Sequence, residues 1–249
     1  MPIVCGRRVS AAEELKFLKA SETAASAQVP EDGAAIPIII ITEDRYRANP
    51  TLYLKRLNAV LGEFRSVFAR NCDIRRITPA EARPFLNAHH SLGFCSAGVF
   101  YGVFSRRSTG AAESAIQPGE LLAVASFSKP RHWIKEGRDY NSYEFVRYAS
   151  LPDVRISGGM GKVLEKFIKD HPDADDVMSY CDLEWSDGAA YRSLGFVEEG
   201  VTEPMTFAID TSSWQRVRKV VPLSSEGAVS AGALTTYTNL GSKKFRYTI

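Results

Sequence analysis

The stretch that decides the fold is Tyr143-Glu-Phe-Val-Arg-Tyr-Ala-Ser150, then Leu151-Pro-Asp153, then Val154-Arg-Ile-Ser-Gly-Gly-Met-Gly-Lys162. Its first eight residues are rich in aromatic and β-branched side chains and read as a strand, which Leu151-Pro152-Asp153 stops. Beyond the glycines, Met160, Val163, Leu164, Phe167 and Ile168 recur at i, i+3, i+4, i+7 and i+8 and share one helical face. Lys162, Glu165, Lys166 and Lys169 take the other faces. A glycine loop running into a helix start is a potential anion site. The first-turn N–H groups lack helical partners, the dipole is positive there, and glycine lets a phosphate reach the backbone. Two phosphate loops are excluded by position. A P-loop needs glycine five places before Gly161 and Ser or Thr after Lys162, where this chain has Ile156 and Val163. The dinucleotide fingerprint on Gly159 and Gly161 needs a third small residue where Leu164 stands.

Downstream, residues 176–181 read as a short strand, 187–194 as a short helix, and Gly195-Phe196 as a turn into strands at 197–199 and 205–210. The tail has a flexible stretch at 222–233 and then an expected hairpin of 235–239 with 243–248. Upstream, 99–104 and 120–127 form an expected hairpin across a long loop of small and polar residues. Thr78-Pro-Ala-Glu81 is a capping box; Phe85, Leu86 and His89 continue that helix toward Gly93, with Pro84 inside it. Asn49-Pro50 caps another helix, with Tyr53, Leu57, Val60, Leu61 and Phe64 on one face. The β-branched run 36–42 reads as a buried strand. Ser10 and Glu13 open a first helix, and 20–35 is a linker. The expected class is mixed α/β with a mostly antiparallel sheet and at least one crossover helix. The expected organisation is a helix and linker (1–35), one main domain (36–214) and a C-terminal extension (215–249).

The chain has 249 residues, 45% of them hydrophobic, enough for one large core or two small ones. A net charge of +2 argues against a histone-like binder and a charge-driven disordered tail, while leaving room for local basic patches. Cys5, Cys72, Cys95 and Cys181 lie far apart, without a CxxC pair or His at ligand spacing, so neither a metal centre nor a disulfide scaffold is expected. No apolar run approaches a membrane span, and residues 1–8 lack a long hydrophobic region, so a reduced cytoplasmic protein is expected.

The loop and its surroundings resemble the acyl-CoA N-acyltransferases of the GNAT superfamily. Their pyrophosphate loop reads [Gln/Arg]-x-x-Gly-x-[Gly/Ala]; Gly159 and Gly161 fill the last two fixed places, while the first falls on Ile156 with Arg155 one position away. Strand, Leu-Pro-Asp stop, loop and amphipathic helix follow that family's central order. Asp187-Gly-Ala-Ala-Tyr191-Arg-Ser-Leu-Gly195-Phe196 is similar to its second motif, a short helix ending in Tyr-x-x-Leu-Gly-Phe. From Ile36 onward the chain is also similar to GNAT-like domains of phage and mobile-element proteins, most of them uncharacterised. That likeness runs through Thr42-Glu-Asp44-Arg-Tyr46, Arg56-Leu57, Ala69-Arg70-Asn-Cys72, Phe85-Leu86, His90-x-x-Gly93, Tyr101-Gly102 and Leu122-Ala-Val-Ala-Ser-Phe127. It continues through Tyr143-Glu144, Arg147-Tyr148, Gly158-Gly159, Lys162, Tyr180-Cys-Asp182 and Trp185-Ser186-Asp187-Gly188. Some relatives carry a nuclease-like sheet ahead of the Thr42 region; about forty residues stand there in this sequence, and nuclease activity is not carried over. Glu43 and Asp44 are expected to face solvent or cap a helix.

The resemblance implies acetyl-CoA or another acyl-CoA as co-substrate and a small-molecule or peptide amine as acceptor. It implies that Ser157, Gly158, Gly159, Met160, Gly161 and Lys162 hold the pyrophosphate, with Arg155 or Lys162 adding charge. Tyr191 occupies the place of a tyrosine general acid, the alternative being a core or hinge tyrosine. Glu144 is the first choice as general base, the alternative being an ion pair with Arg147 or another cation. His90 is a second choice of base from the acceptor side, the alternative being a helix-end histidine bonded to backbone. Asp182 and Trp185 either shape the acceptor pocket or cap a turn. A different class of function, a non-catalytic module on nucleic acid or on a protein partner, would use the basic sets Arg106-Arg107, Lys129-Pro-Arg131-His132-Trp133 and Lys243-Lys244-Phe245-Arg246. The acyltransferase fold makes one sharp demand: strands 143–150 and 176–182 run parallel and splay apart toward Gly158.

Overall fold

The computed structural model describes residues 39–110, 115–135, 137–217 and 234–249. The first helix and linker expected at 1–35 lie outside them. Residues 39–42, expected as the end of a strand, form none; Ile40 N–H donates to the Glu184 carbonyl at 2.7 Å. Two helices follow, α1 (Glu43–Ala48) and α2 (Pro50–Val60), the second capped by Asn49, whose side chain accepts from Leu52 N–H. Of the apolar face expected on α2 only Tyr53 is buried, beside Leu52; Leu57, Val60 and Leu61 are exposed.

Strand β1 (Arg65–Phe68) leads through a 3-10 turn (Ala69–Asn71) into β2 (Cys72–Ile77). Helix α3 (Pro79–His89) starts on the expected capping box, Thr78 and Glu81 bonding reciprocally, and contains Pro84. Then come β3 (Val99–Ser105) and β4 (Leu121–Phe127), paired antiparallel as expected. The basic segment at 131–135 is strand β5 (Arg131–Lys135), hairpinned onto β6 (Arg138–Ser150). Residues 154–157, expected as loop, form β7 (Val154–Ser157), parallel to β1, so Gly158 alone separates strand from helix α4 (Gly159–Asp170). Strand β8 (Asp176–Asp182), helix α5 (Ala189–Ser193) and β9 (Val197–Val201) follow. The chain ends in β10 (Thr206–Asp210), β11 (Gln215–Val217), β12 (Leu234–Thr238) and β13 (Ser242–Thr248).

The main sheet runs β2-β3-β4-β6-β8-β13-β9, antiparallel except for β6 with β8. The expected tail hairpin does not form. β12 pairs with β10 in a separate three-stranded sheet, whereas β13 inserts between β8 and β9. Phe245 explains the choice: on β13 it is fully buried in the core, stacked under Tyr191, which a local hairpin could not offer. Helix α4 packs Val163, Leu164 and Phe167 on one face of the sheet, Phe167 stacking on Phe127 at 4.0 Å. Helix α3 covers the other face with Ala82 and Leu86 against Phe100, Val124 and Ala149. This is the mixed, mostly antiparallel α/β architecture expected from the sequence. No helix among the described residues is long and apolar enough to cross a membrane.

Candidate functional site

Strands β6 and β8 pair only over Ser142–Asp176, Tyr143–Val177 and Glu144–Met178, after which they diverge toward the end that leads to Gly158. This is the splay expected from the sequence. A β-bulge sits at the same level. Phe127 pairs with Phe145 but Ser126 with Arg147, leaving Val146 as the extra residue. The bulge resets the alternation of side chains. Tyr143 and Phe145 before it and Tyr148 after it belong to the α4-side core, while Ala149 packs with α3. Arg147 follows Ala149 and reaches the loop after α3, its Nε donating to the Gly93 carbonyl at 3.4 Å.

Tyr191 is at the mouth of the splay. Its hydroxyl lies 2.9 Å from that of Ser179, the first β8 residue beyond the ladder, and Ser179 donates to the Phe145 carbonyl of β6 at 2.9 Å. The tyrosine ring stacks on Phe245 (5.1 Å) and meets Phe196 edge-on (5.5 Å). Gly188 makes this possible: it starts α5 with φ of 89°, and a Cβ there would overlap the Phe245 ring. Burial, partly offset by the Ser179 hydrogen bond, raises the Tyr191 pKa, so its phenol keeps its proton at neutral pH.

The start of α4 faces the same end of the sheet. Gly158 has φ of 77°, and Gly159 is buried so closely that a Cβ would stand 2.7 Å from the Tyr148 hydroxyl. Gly161 lies against Leu194 of the second motif, so the two glycine-bearing motifs touch. Helix geometry leaves the N–H groups of Gly159, Met160 and Gly161 outside the i to i−4 ladder. The two cations expected to assist are held elsewhere. Lys162 Nζ donates to the carbonyls of Ala69 (3.0 Å) and Cys72 (2.6 Å), and the Arg155 guanidinium lies over the Phe64 ring. Ser157 is exposed and paired with Phe68.

Glu144 sits at the last rung of the ladder, half-buried, with Arg131 of β5 3.3 Å from Oε2. Its ion pair is therefore with Arg131 and not with Arg147. His90 ends α3, and its Nδ1 accepts the Leu92 N–H at 3.1 Å, the backbone-bonded alternative raised above. Burial, then Arg147, Arg56 and Arg45, push its pKa down to about 3. Asp182 both caps a turn, accepting from Glu184 N–H, and pairs with Arg45 at 2.9 Å. Trp185 lies under Arg56, 4.8 Å from its Cζ, and edge-on to Tyr53.

Asp44 corrects an expectation: it neither faces solvent nor caps a helix but is buried, paired with Arg216 of β11. Burial opposes its ionisation, yet the hydrogen bonds from Arg216 and Thr42 hold its pKa below the ordinary value. This pair and the Arg45 bonds to Asp182 and Glu184 tie α1 to β11 and to the end of β8. The basic sets are largely neutralised. Arg106 pairs with Asp73, Lys243 with Glu198, Lys244 with Glu199, and Arg246 with Asp176 and Glu199. Among the described residues no group of three or more His, Cys, Asp or Glu is placed to hold a metal ion.

No family model and no curated protein sequence matches the chain. The solved structures similar to it include the NatC complex bound to Gag peptide and CoA (10% identity, 72% of this chain and 99% of that one, TM-score 0.40). A second is Arabidopsis thaliana NAA60 in complex with acetyl-CoA (10%, 72% and 99%, TM-score 0.40). A third is a histone acetyltransferase HPA2 and related acetyltransferase from Corynebacterium glutamicum (14%, 84% and 94%, TM-score 0.34). The architecture of this chain is read from its own strand order and its parallel, splayed pair.

Proposed function

We propose that the chain is an acyl-CoA-dependent N-acyltransferase acting on an amine acceptor. The observation that carries this reading is the parallel pair that opens after Glu144–Met178, with the Tyr191 hydroxyl at its mouth and the start of α4 beyond. An acyl-CoA supplies an activated thioester, and the residues fit it. The backbone N–H groups at the α4 start, opened by Gly158 and Gly159, suit a pyrophosphate. The β6 edge beyond Glu144, freed from β8, offers main-chain groups to an extended arm. Tyr191, kept protonated by its burial, is the proton donor to the departing sulfur. Glu144, at the same level but on the other side of the strand, accepts a proton from the amine through water, its charge held by Arg131. Deeper kinship with the phage and mobile-element domains belongs to the same reading, supported by the Thr42–Asp44, His90–Gly93 and Tyr180–Asp182 residues that the resemblance uses.

The test is acetyl-CoA binding by isothermal titration, followed by thiol release with a panel of amines. Binding is expected with a Kd in the micromolar range, and Tyr191→Phe is expected to bind normally but to release thiol on the order of 10²-fold more slowly. Absence of binding by acetyl-CoA and longer acyl-CoAs would overturn the reading.

A further inference from the structure

Between α2, the loop after α3 and the middle of β6, the arginines are treated unlike those elsewhere in the molecule. Arg56 is half-buried over Trp185, and among the described residues its guanidinium pairs with no carboxylate and donates no hydrogen bond. Arg147 donates Nε to the Gly93 carbonyl and Nη1 to the Val146 carbonyl at 2.9 Å. Its Nη2 has no acceptor among the described residues, nor has it a carboxylate partner. The end of α3 meets both elements: Gly93, which holds Arg147, donates its N–H to the His90 carbonyl at 2.9 Å, and Asn49 at the start of α2 donates Nδ2 to the Ala88 carbonyl at 2.9 Å. His90 lies within the field of both guanidinium groups. Because its Nδ1 accepts the Leu92 N–H, the neutral ring carries its proton on Nε2 and is a third donor. Arg45, the other cation near His90, is already neutralised by Asp182 and Glu184. Three donor groups with no acceptor among them, two of them fixed charges, are therefore gathered on the α3 side of β6. The unpaired nitrogens of these arginines are not among the fully buried ones, so they are open to a ligand, and the planar fork of a guanidinium matches the two oxygens of a carboxylate or phosphate. Arg147 stands three residues, roughly 10 Å, along β6 from Glu144 at the opening of the splay.

We propose that Arg56, Arg147 and His90 form an oxyanion pocket that receives a carboxylate or phosphate carried by the acceptor amine. The anion site is argued from these three side chains and does not need the acyltransferase; that its ligand is the acceptor rests on the acyltransferase reading above.

The experiment is a thermal-shift titration at constant ionic strength, with inorganic phosphate in one arm and succinate in the other replacing chloride. A saturable rise in Tm with half-saturation in the millimolar range or tighter is expected in at least one arm, and the stronger arm identifies the oxyanion. Arg56→Gln and Arg147→Gln are each expected to weaken it at least about tenfold, the loss of one charge-assisted pair. Arg56→Lys and Arg147→Lys keep the charge without the fork and are expected to weaken it by a smaller factor, so they serve if a glutamine variant does not fold. No saturable shift in either arm overturns the proposal. So does a shift that survives undiminished in the variants, which would put the anion elsewhere, for example at the α4 start. Acetyl-CoA titrated into the same proteins separates the two claims. If it fails to bind while the anion shift depends on Arg56 and Arg147, the acyltransferase reading falls and the pocket stands. If both bind, glycine against glycinamide and phosphoethanolamine against ethanolamine complete the test. The anionic member is expected to have the higher kcat/KM, by a margin that Arg56→Gln removes; equal values for both members would detach the pocket from the acceptor.

Discussion

Arg246 on β13 and Arg56 on α2 are both half-buried, but their surroundings differ. Arg246 is held between Asp176, which is 1% exposed, and Glu199, with Lys244 adding a second cation to Glu199. Asp176 also accepts from the Ser142 hydroxyl at 2.5 Å, so each buried charge there has its counter-charge. Around Arg56 and Arg147 the described residues supply an aromatic face and main-chain carbonyls but no carboxylate. The first network locks the β8–β13–β9 edge of the sheet. The second leaves positive charge uncompensated beside the open end of a strand pair. Fixed cations that the fold does not neutralise mark where a ligand is expected to do so.

The largest expected effect tests that contrast directly. Arg246→Met strands the buried Asp176 carboxylate and is expected to cost about 3–5 kcal/mol in urea unfolding. Arg56→Gln removes a charge that has no partner and is expected to change stability by less than about 1 kcal/mol in either direction. Equal losses in the two variants would make Arg56 a structural cation and dissolve the contrast. Next is Tyr191→Phe, whose roughly 10²-fold loss of turnover should come with a stability change of about 1 kcal/mol or less, since only the hydrogen bond to Ser179 is removed. A stability loss as large as the rate loss would return Tyr191 to the status of a core residue.

Acid unfolding gives a smaller effect and separates the two regions by pH. Hydrogen bonding to Arg246, against a lesser cost of burial, and then to Lys244 lowers Glu199 from 4.5 to about 2. Its contribution is therefore present above about pH 4.5 and lost as pH falls toward 2. His90 is lowered from 6.5 to about 3, so the unfolded chain takes up its proton first, and that contribution fades as pH falls from about 6.5 toward 3. Urea midpoints across this range should show the lower segment flattened in Glu199→Gln and the upper one flattened in His90→Asn. In an NMR titration of His90, saturating phosphate or succinate, whichever binds, should raise the His90 pKa, because the anion offsets Arg147 and Arg56. An unmoved value with the anion bound would place the ligand away from this histidine.

Much of this site is legible in the amino-acid sequence alone. The period of Met160, Val163, Leu164, Phe167 and Ile168, the capping box at Thr78 and the Tyr191–Phe196 motif are local signals, and each forms the element it implies. The splay could be anticipated because the resemblance carried by residues 154–162 and 187–196 implies it. The pocket around Arg56 could not. Its members come from α2, β6 and the α3 end, and nothing in the periodicity of α2 distinguishes Arg56 from a solvated arginine. Read by simple alternation, Arg147 shares the face of Tyr143 and Phe145. The clues available were an arginine in an otherwise aromatic strand and the presence of Arg56-Leu57, His90-x-x-Gly93 and Arg147-Tyr148 in the mobile-element likeness, none of which says that the three side chains meet.

Local sequence thus determined the helices, their caps and most of the strands, because capping and hydrophobic periodicity act over a few residues. Tertiary structure decided what those signals do not encode. It sent β13 between β8 and β9 because Phe245 is buried there, and it drew Asp44 inward onto Arg216. It also inserted Val146 as a bulge, and a one-residue insertion reverses every side chain beyond it on a strand of period two. That reversal carries Arg147 out of the α4-side core and over to His90.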